Sequence, residues 1–207
     1  MSLQATKTHF IQLLAEQENK VIALSGKWGT GKSHLWREVR DESQDERVKK
    51  SLYVSLFGLG DINEVKLKIV QVAIANSKDF PGLWRKVTSS IAPIRNVLES
   101  LHKGFSVLND VALLAVPTIL KDRVIVLDDI ERKHEKLSID EVLGFIDEFT
   151  QQHGARFILI MNSDQLVKKE IWETLREKVV DQELRLNTSP SEAFDIAAAM
   201  ALSLIHI

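Results

Sequence analysis

The 207-residue chain contains no cysteine. Disulfides, thiolate zinc sites and a cysteine nucleophile are therefore excluded, and the lack of thiols suits a reducing compartment such as the cytoplasm. Neither sign of charge dominates: 27 Lys and Arg face 29 Asp and Glu, a net charge of −2. The whole-chain basic signature of many nucleic-acid binders is missing, and scattered pairs such as Lys49-Lys50 make no basic stripe. No long apolar run is present. The most apolar stretch, Val111–Leu120, is interrupted by Pro117 and is shorter than the about 20 residues a membrane span needs. Met1–Lys20 has no signal-peptide core. A cytoplasmic protein with no membrane span in this chain is expected. What remains is a globular composition, 44% apolar and 27% charged, with length enough to bury a core.

No repeat or low-complexity tract divides the chain. Apolar runs at Val21–Leu24, Leu52–Phe57, Val124–Leu127 and Arg156–Met161 read as strands, with a fifth at Glu183–Leu186. Helical spacing covers Thr6–Gln17, Gly31–Val39, Asn63–Ala75 and Leu166–Val179, and Ser138 starts a helix that Gly154 ends. Ser189-Pro190-Ser191-Glu192 reads as the start of another. Asp41–Lys50 reads as a charged loop or helix end. In 77–120, Pro81, Pro93 and Pro117 are expected to break the chain into short helical pieces. Strands alternating with helices imply a parallel sheet covered on both faces. Ligands of such sheets bind at the carboxyl ends of the strands. Three polar clusters fall there: Gly26–Ser33, Asp128–Arg132 and Asn162–Asp164.

The first cluster, Gly26-Lys27-Trp28-Gly29-Thr30-Gly31-Lys32-Ser33, fits G-x-x-x-x-G-K-[ST]. Its glycines let several backbone N–H groups point at one anion, and the following helix presents its positive end to the same phosphates. Lys32 is placed to reach the β- and γ-phosphates, and the Ser33 hydroxyl to bind Mg²⁺. Trp28 reads as a surface aromatic on the outer wall of the loop, or as a stacking partner for a base. His34 follows as a further contact candidate, although its position reads as helix surface.

The second cluster closes an apolar strand with Asp128-Asp129. Two adjacent carboxylates repel unless a cation lies close by. Asp128 is placed to hold Mg²⁺ through a water, and Asp129 to polarise the attacking water as the base. Glu131 is an alternative base, and Arg132 is a site-edge charge or a plain surface residue. In the third cluster, Asn162 is the candidate to sense the γ-phosphate, with a helix-capping role for the cluster as the competing reading.

These motifs resemble the KAP family of P-loop NTPases, within the additional-strand, catalytic-acid division. The loop is similar to that family's G-x-W-G-x-G-K-[ST], including Trp28. The run Asp128-Asp129-Ile130-Glu131-Arg132 is similar to its D-D-L-D-R, with Glu131 standing where the family usually has Asp. The likeness covers Val21–Ser163, with a weaker continuation to Ile196. It implies a three-layer α/β P-loop NTPase fold and a mainly parallel sheet of about five strands. The sensing strand is expected between the loop strand and the acidic (Walker B) strand, with a helical insertion, 77–120, between the second strand and the acidic one. That insertion carries transmembrane helices in many members; the short apolar run here points to a soluble, bacterial-type one. The nucleotide implied is ATP, and members act as ATP-dependent switches or assembly platforms, some in bacterial defence.

The expected organisation is an N-terminal helix over 1–20, an NTPase domain over 21–200, and a tail over 201–207 that reads as truncated or artefactual. The leading functional reading is Mg²⁺-dependent ATP hydrolysis coupled to a conformational or assembly switch in a larger protein. A protein partner or self-assembly would act through regions beyond this chain. An ATP-binding scaffold with little turnover is the alternative. A small-molecule kinase, with Arg176 and Lys178 as a lid, ranks below both.

Overall fold

An extended apolar run turns successive side chains to opposite faces of a sheet. In the computed structural model, which describes residues 3–76, 104–165, 173 and 176–187, that alternation builds two cores. Five strands, β1 Val21–Ser25, β2 Leu52–Ser55, β3 Val124–Asp128, β4 Arg156–Met161 and β5 Gln182–Arg185, form one sheet in the order β2-β3-β4-β1-β5. Every pairing is parallel. β4 lies between β1 and β3, where the resemblance places the sensing strand.

The helices are α1 Leu3–Ala15, α2 Lys32–Glu42, α3 Glu46–Lys49, α4 Ile62–Ala75, α5 Gly104–Leu120 and α6 Ile139–His153. On one face Ile22, Leu24, Val126 and Ile158 meet Phe10, Leu13, Leu35, Trp36 and Val48 of α1, α2 and α3. On the other, Ala23, Val54, Ile125 and Leu159 meet Val65, Ile69, Ile119, Val142 and Phe145 of α4, α5 and α6. Both faces are covered, so the inner strands are apolar except at their ends, Ser25, Asp128 and Arg156. Full burial of one such side chain is worth about 1.5–3 kcal/mol.

The helix ends follow local chemistry. Asp61 caps α4 by accepting from the N–H groups of Asn63 and Glu64. Ser138 and Glu141 form a reciprocal capping box at the start of α6, and Gly154 ends that helix at φ 65°. Two readings of the sequence need correction. The charged stretch Asp41–Lys50 holds the end of α2, as read, but also α3, because Asp45 caps it and Val48 buries into the core. Pro117 does not break its segment. It lies in the last turn of α5, where Ala115, Val116, Ile119 and Leu120 are buried. That burial outweighs the one backbone hydrogen bond a proline removes. Of the expected Leu166–Val179 helix, residues 173 and 176–179 are described and are helical. The expected helix after Ser189, the tail 201–207, Pro81 and Pro93 lie outside the described residues.

Candidate functional site

Register sets the site. Ser25 aligns with Met161, and Ser55 aligns with Asp128. The carboxyl ends of neighbouring strands therefore finish level, and the loops that follow converge. Between β1 and α2 the chain passes Gly26 at φ 156°, Gly29 at φ 76° and Gly31 at φ 83°. A Cβ at Gly26 would sit 2.5 Å from the Leu186 carbonyl oxygen beyond β5, so only glycine fits this turn. No side chain caps α2 at Gly31, and its first turn contains no acid. The first N–H groups of α2 are thus left for an anion.

Lys32 folds over the loop, its Nζ donating to the carbonyl oxygens of Gly26 and Lys27, each at 2.8 Å. Thr30 ties the same turn by donating its hydroxyl to Lys27 O at 2.8 Å. Burial pushes the Lys32 ammonium below the ordinary lysine value, opposed by the carboxylates of Glu131, Asp128 and Asp129. Ser33 Oγ donates to Asp128 Oδ2 at 2.9 Å. The start of α2 therefore touches the end of the acidic strand directly.

The acidic turn is conformationally unusual. Asp129 is left-handed, φ 59° and ψ 35°, a region that costs most side chains energy but suits Asp and Asn better. Its N–H donates to Asp128 Oδ1 at 2.7 Å. Its own carboxylate accepts from Ser55 Oγ at 2.7 Å and Arg132 Nη1 at 3.3 Å. Tyr53 donates its hydroxyl to Asp128 Oδ2. Burial, then that bond, holds the Tyr53 phenol well above its ordinary value, so it stays a donor at neutral pH. Glu131 accepts from Trp28 Nε1 at 3.0 Å and from the Asn162 backbone N–H at 3.1 Å. The Arg132 guanidinium lies 4.1 Å from the Phe57 ring centre and 5.8 Å from that of Trp28.

The phosphate loop, the start of α2 and the acidic turn border a cleft of about 360 Å³. Of the residues singled out in the sequence, Trp28, Gly29, Gly31, Lys32, Ser33, His34, Asp128, Asp129, Glu131 and Arg132 line it. Gly26, Lys27 and Thr30 build the loop behind them. Asn162 does not line the cleft. It is buried, and its Oδ1 accepts from Asp164 N at 3.2 Å, capping the short 3-10 turn Ser163–Gln165 itself. Arg176 pairs with Glu183, Lys178 is exposed, and neither lines the cleft. Sequence reasoning missed Tyr53 and Ser55, which read only as strand residues, and Arg37, which lines the cleft one turn beyond Ser33 on the same helix face.

A family model described as the KAP family P-loop domain matches residues 5–108, about half of the chain. The chain belongs to the KAP family of P-loop domains. Among solved structures, the Cdc6p protein of Pyrobaculum aerophilum is similar at 18% identity and a TM-score of 0.50, over 95% of this chain and 49% of that one. The ORC2 protein of Aeropyrum pernix, in its ADP form, is similar at 12% identity and a TM-score of 0.57, over 98% of this chain and 51% of that one. At these identities the likeness is one of fold, and the KAP chain spans about half the length of both neighbours. No curated protein matches the sequence.

For this KAP domain, the donor set can be tested against a magnesium ion. Among the described residues no group of three or more His, Asp or Glu side chains is arranged to hold a metal. Mg²⁺ does not require one, because it binds through one or two protein oxygens, substrate phosphates and waters. Ser33 Oγ and Asp128 Oδ2, already 2.9 Å apart, are hard oxygen donors beside the phosphate loop. They fit that mode.

Proposed function

We propose that this KAP domain binds ATP with Mg²⁺ in the cleft and hydrolyses it, coupling nucleotide state to a conformational or assembly switch in the cytoplasm. The observation that supports this best is the meeting of Ser33 and Asp128 beside Lys32, where the start of α2 reaches the acidic strand. In this reading Lys32, the loop N–H groups and the first turn of α2 bind the phosphate oxygens. Ser33 and Asp128 would hold Mg²⁺, which when bound neutralises phosphate charge. Asp129 orients the attacking water and accepts its proton. Tyr53 fixes Asp128, and Ser55 fixes Asp129. Arg132, at the cleft edge, balances the negative charge of the acidic turn.

A held ATP switch with slow turnover is the second reading, and one observation favours it. Both oxygens of Asp129 are engaged, by Ser55 and Arg132, which leaves only their remaining lone pairs for a water and lowers the basicity of the group.

The test compares ATP binding by calorimetry and phosphate release for wild type, Lys32→Ala and Asp129→Asn. Lys32→Ala should weaken binding about 100-fold. Asp129→Asn should keep binding, since Asn tolerates the left-handed backbone, and should slow release by about 100-fold or more. Equal ATP affinity in Lys32→Ala would overturn the loop assignment. Wild-type binding without release would leave the held switch.

A further inference from the structure

Trp28 is 66% exposed, yet it is tethered at both its edge and its face. Its indole N–H donates to Glu131 Oε1 at 3.0 Å, and the Arg132 guanidinium lies 5.8 Å from its ring centre. The second oxygen of Glu131 accepts from the backbone N–H of Asn162 at 3.1 Å. One carboxylate therefore joins three strand ends: the phosphate loop after β1, the acidic turn after β3 and the end of β4. An exposed indole N–H could bond to water at no loss, so holding it on a carboxylate fixes the loop rather than satisfying a buried donor.

We propose that Glu131 is a positioning residue, a clasp that holds the phosphate loop through Trp28 and anchors it on β4 through Asn162. Glu131 gives its two oxygens to N–H groups on two other strand ends, and the part of the base stays with Asp129. The clasp restricts the loop before nucleotide arrives, so less ordering is left to be lost on binding. The backbone group it anchors to begins a relay. Asn162 Oδ1 caps the turn that holds Asp164, and Asp164 pairs with Arg185 of β5 at 3.1 Å. The loop is thereby tied to β5, the strand beyond β1.

The binding part of this inference rests on the ATP reading; the clasp itself does not. Glu131→Gln keeps the size of the side chain but turns an amide N–H₂ toward one of the two donors, so at least one bond is lost. Trp28→Phe keeps the ring and removes the donor. With the 207-residue chain, each variant should raise the Kd for ATP by about five- to tenfold, the size of one exposed charge-assisted hydrogen bond. Each should lower kcat by less than about threefold, far short of the loss of a base. The double variant should bind more tightly than the sum of the two single losses implies, because both changes break the same clasp.

A spectroscopic readout needs no nucleotide. In ¹⁵N-labelled protein the Trp28 indole signal is identified by its loss in Trp28→Phe. Glu131→Gln should move that signal and the Asn162 amide together. If neither moves, the clasp does not exist in solution. If Glu131→Gln lowers kcat by about 100-fold at unchanged Kd, Glu131 is the base and the clasp is wrong. If wild type binds no ATP, the functional reading falls, and the two ¹⁵N shifts still decide the clasp.

Discussion

Two buried cations stand at opposite ends of the sheet, and they are held differently. Arg156 opens β4 at its amino end and Lys32 follows β1 at the carboxyl end, 7% and 9% exposed. Burial lowers the pKa of both, and among the described residues neither makes an ion pair. The planar fork of Arg156 donates to Leu14 O at 3.0 Å, Glu16 O at 3.1 Å and twice to Asn19 O, at 3.1 and 2.9 Å. Those carbonyls belong to the end of α1 and the turn after it, where helix carbonyls lack partners and a cation is favoured. Lys32 has two carbonyl partners, both on the glycine-rich loop, and faces three carboxylates across the cleft. The guanidinium makes four hydrogen bonds to fixed backbone and acts as a fastener. The ammonium rests on a loop built to receive an anion, and its bonds can be exchanged for phosphate oxygens. Burial and a lowered pKa do not separate the two; their partners do.

The largest effect should come from breaking the fastener. Arg156→Met keeps an apolar stem but leaves the Leu14, Glu16 and Asn19 carbonyls without their donor. The expected loss is about 3 kcal/mol, the cost of stranding a buried polar network. At this chain length that lowers Tm by about 6–12 °C. Urea and thermal unfolding measure it. Because the guanidinium holds the Leu14 carbonyl of α1, whose Phe10, Leu13 and Leu14 lie in the core, amide exchange should rise across Leu3–Ala15 as well. A loss under about 1 kcal/mol would show that apolar packing alone docks α1.

Arg156 also marks where the sequence stops being readable. The strands were legible because burial on both faces makes apolar runs, and the loop and acid motifs were legible because their chemistry is local. The fifth strand was the faintest, since Gln182–Arg185 contributes one buried residue, Leu184. What escaped notice depends on pairing. Tyr53 and Ser55 reach the acids only because β2 and β3 pair with Ser55 opposite Asp128, and no local pattern encodes that register. Arg156 read as the polar start of a strand, although its partners lie 137 to 142 positions away. Asn162 stands out in the sequence only by its place after β4. The structure uses its backbone N–H and its capping oxygen in bonds that motif spacing could not assign. Pro117 misled because a proline signals a break, and only tertiary burial shows that the last turn of α5 holds.

A smaller effect sharpens the comparison at the amino end of the sheet. Asp45 caps α3 through Arg47 N at 2.8 Å and also pairs with the Arg47 guanidinium. That bond to Arg47 holds the Asp45 carboxyl below its ordinary value of 3.8. A depressed carboxylate contributes stability above its unfolded value, and loses it as pH falls through the folded one. Asp45→Ala should therefore cost about 1 kcal/mol at pH 7. The deficit should shrink below pH 3.8 as wild type loses the same contribution. Denaturant midpoints of the two proteins across that range check it. The charge pair lies near Arg156, where Arg47 lowers the guanidinium pKa and Asp45 raises it. A deficit independent of pH would mean that the cap acts through geometry and not through charge.

The smallest change in stability should come from Lys32→Met, despite a burial matching that of Arg156. The substitution removes a desolvated ammonium and keeps its apolar stem. Lys32 leaves two carbonyls, the buried one of Gly26 and that of the exposed Lys27, where Arg156 leaves four bonds, three of them buried. Relief of desolvation and loss of two hydrogen bonds should then cancel to within about 0.5 kcal/mol. ATP binding, in contrast, should fall as far as in Lys32→Ala. Unfolding midpoints and calorimetric titration on one preparation separate the two quantities. A Lys32→Met protein destabilised as much as Arg156→Met would make Lys32 a second fastener and remove the distinction between the two ends of the sheet.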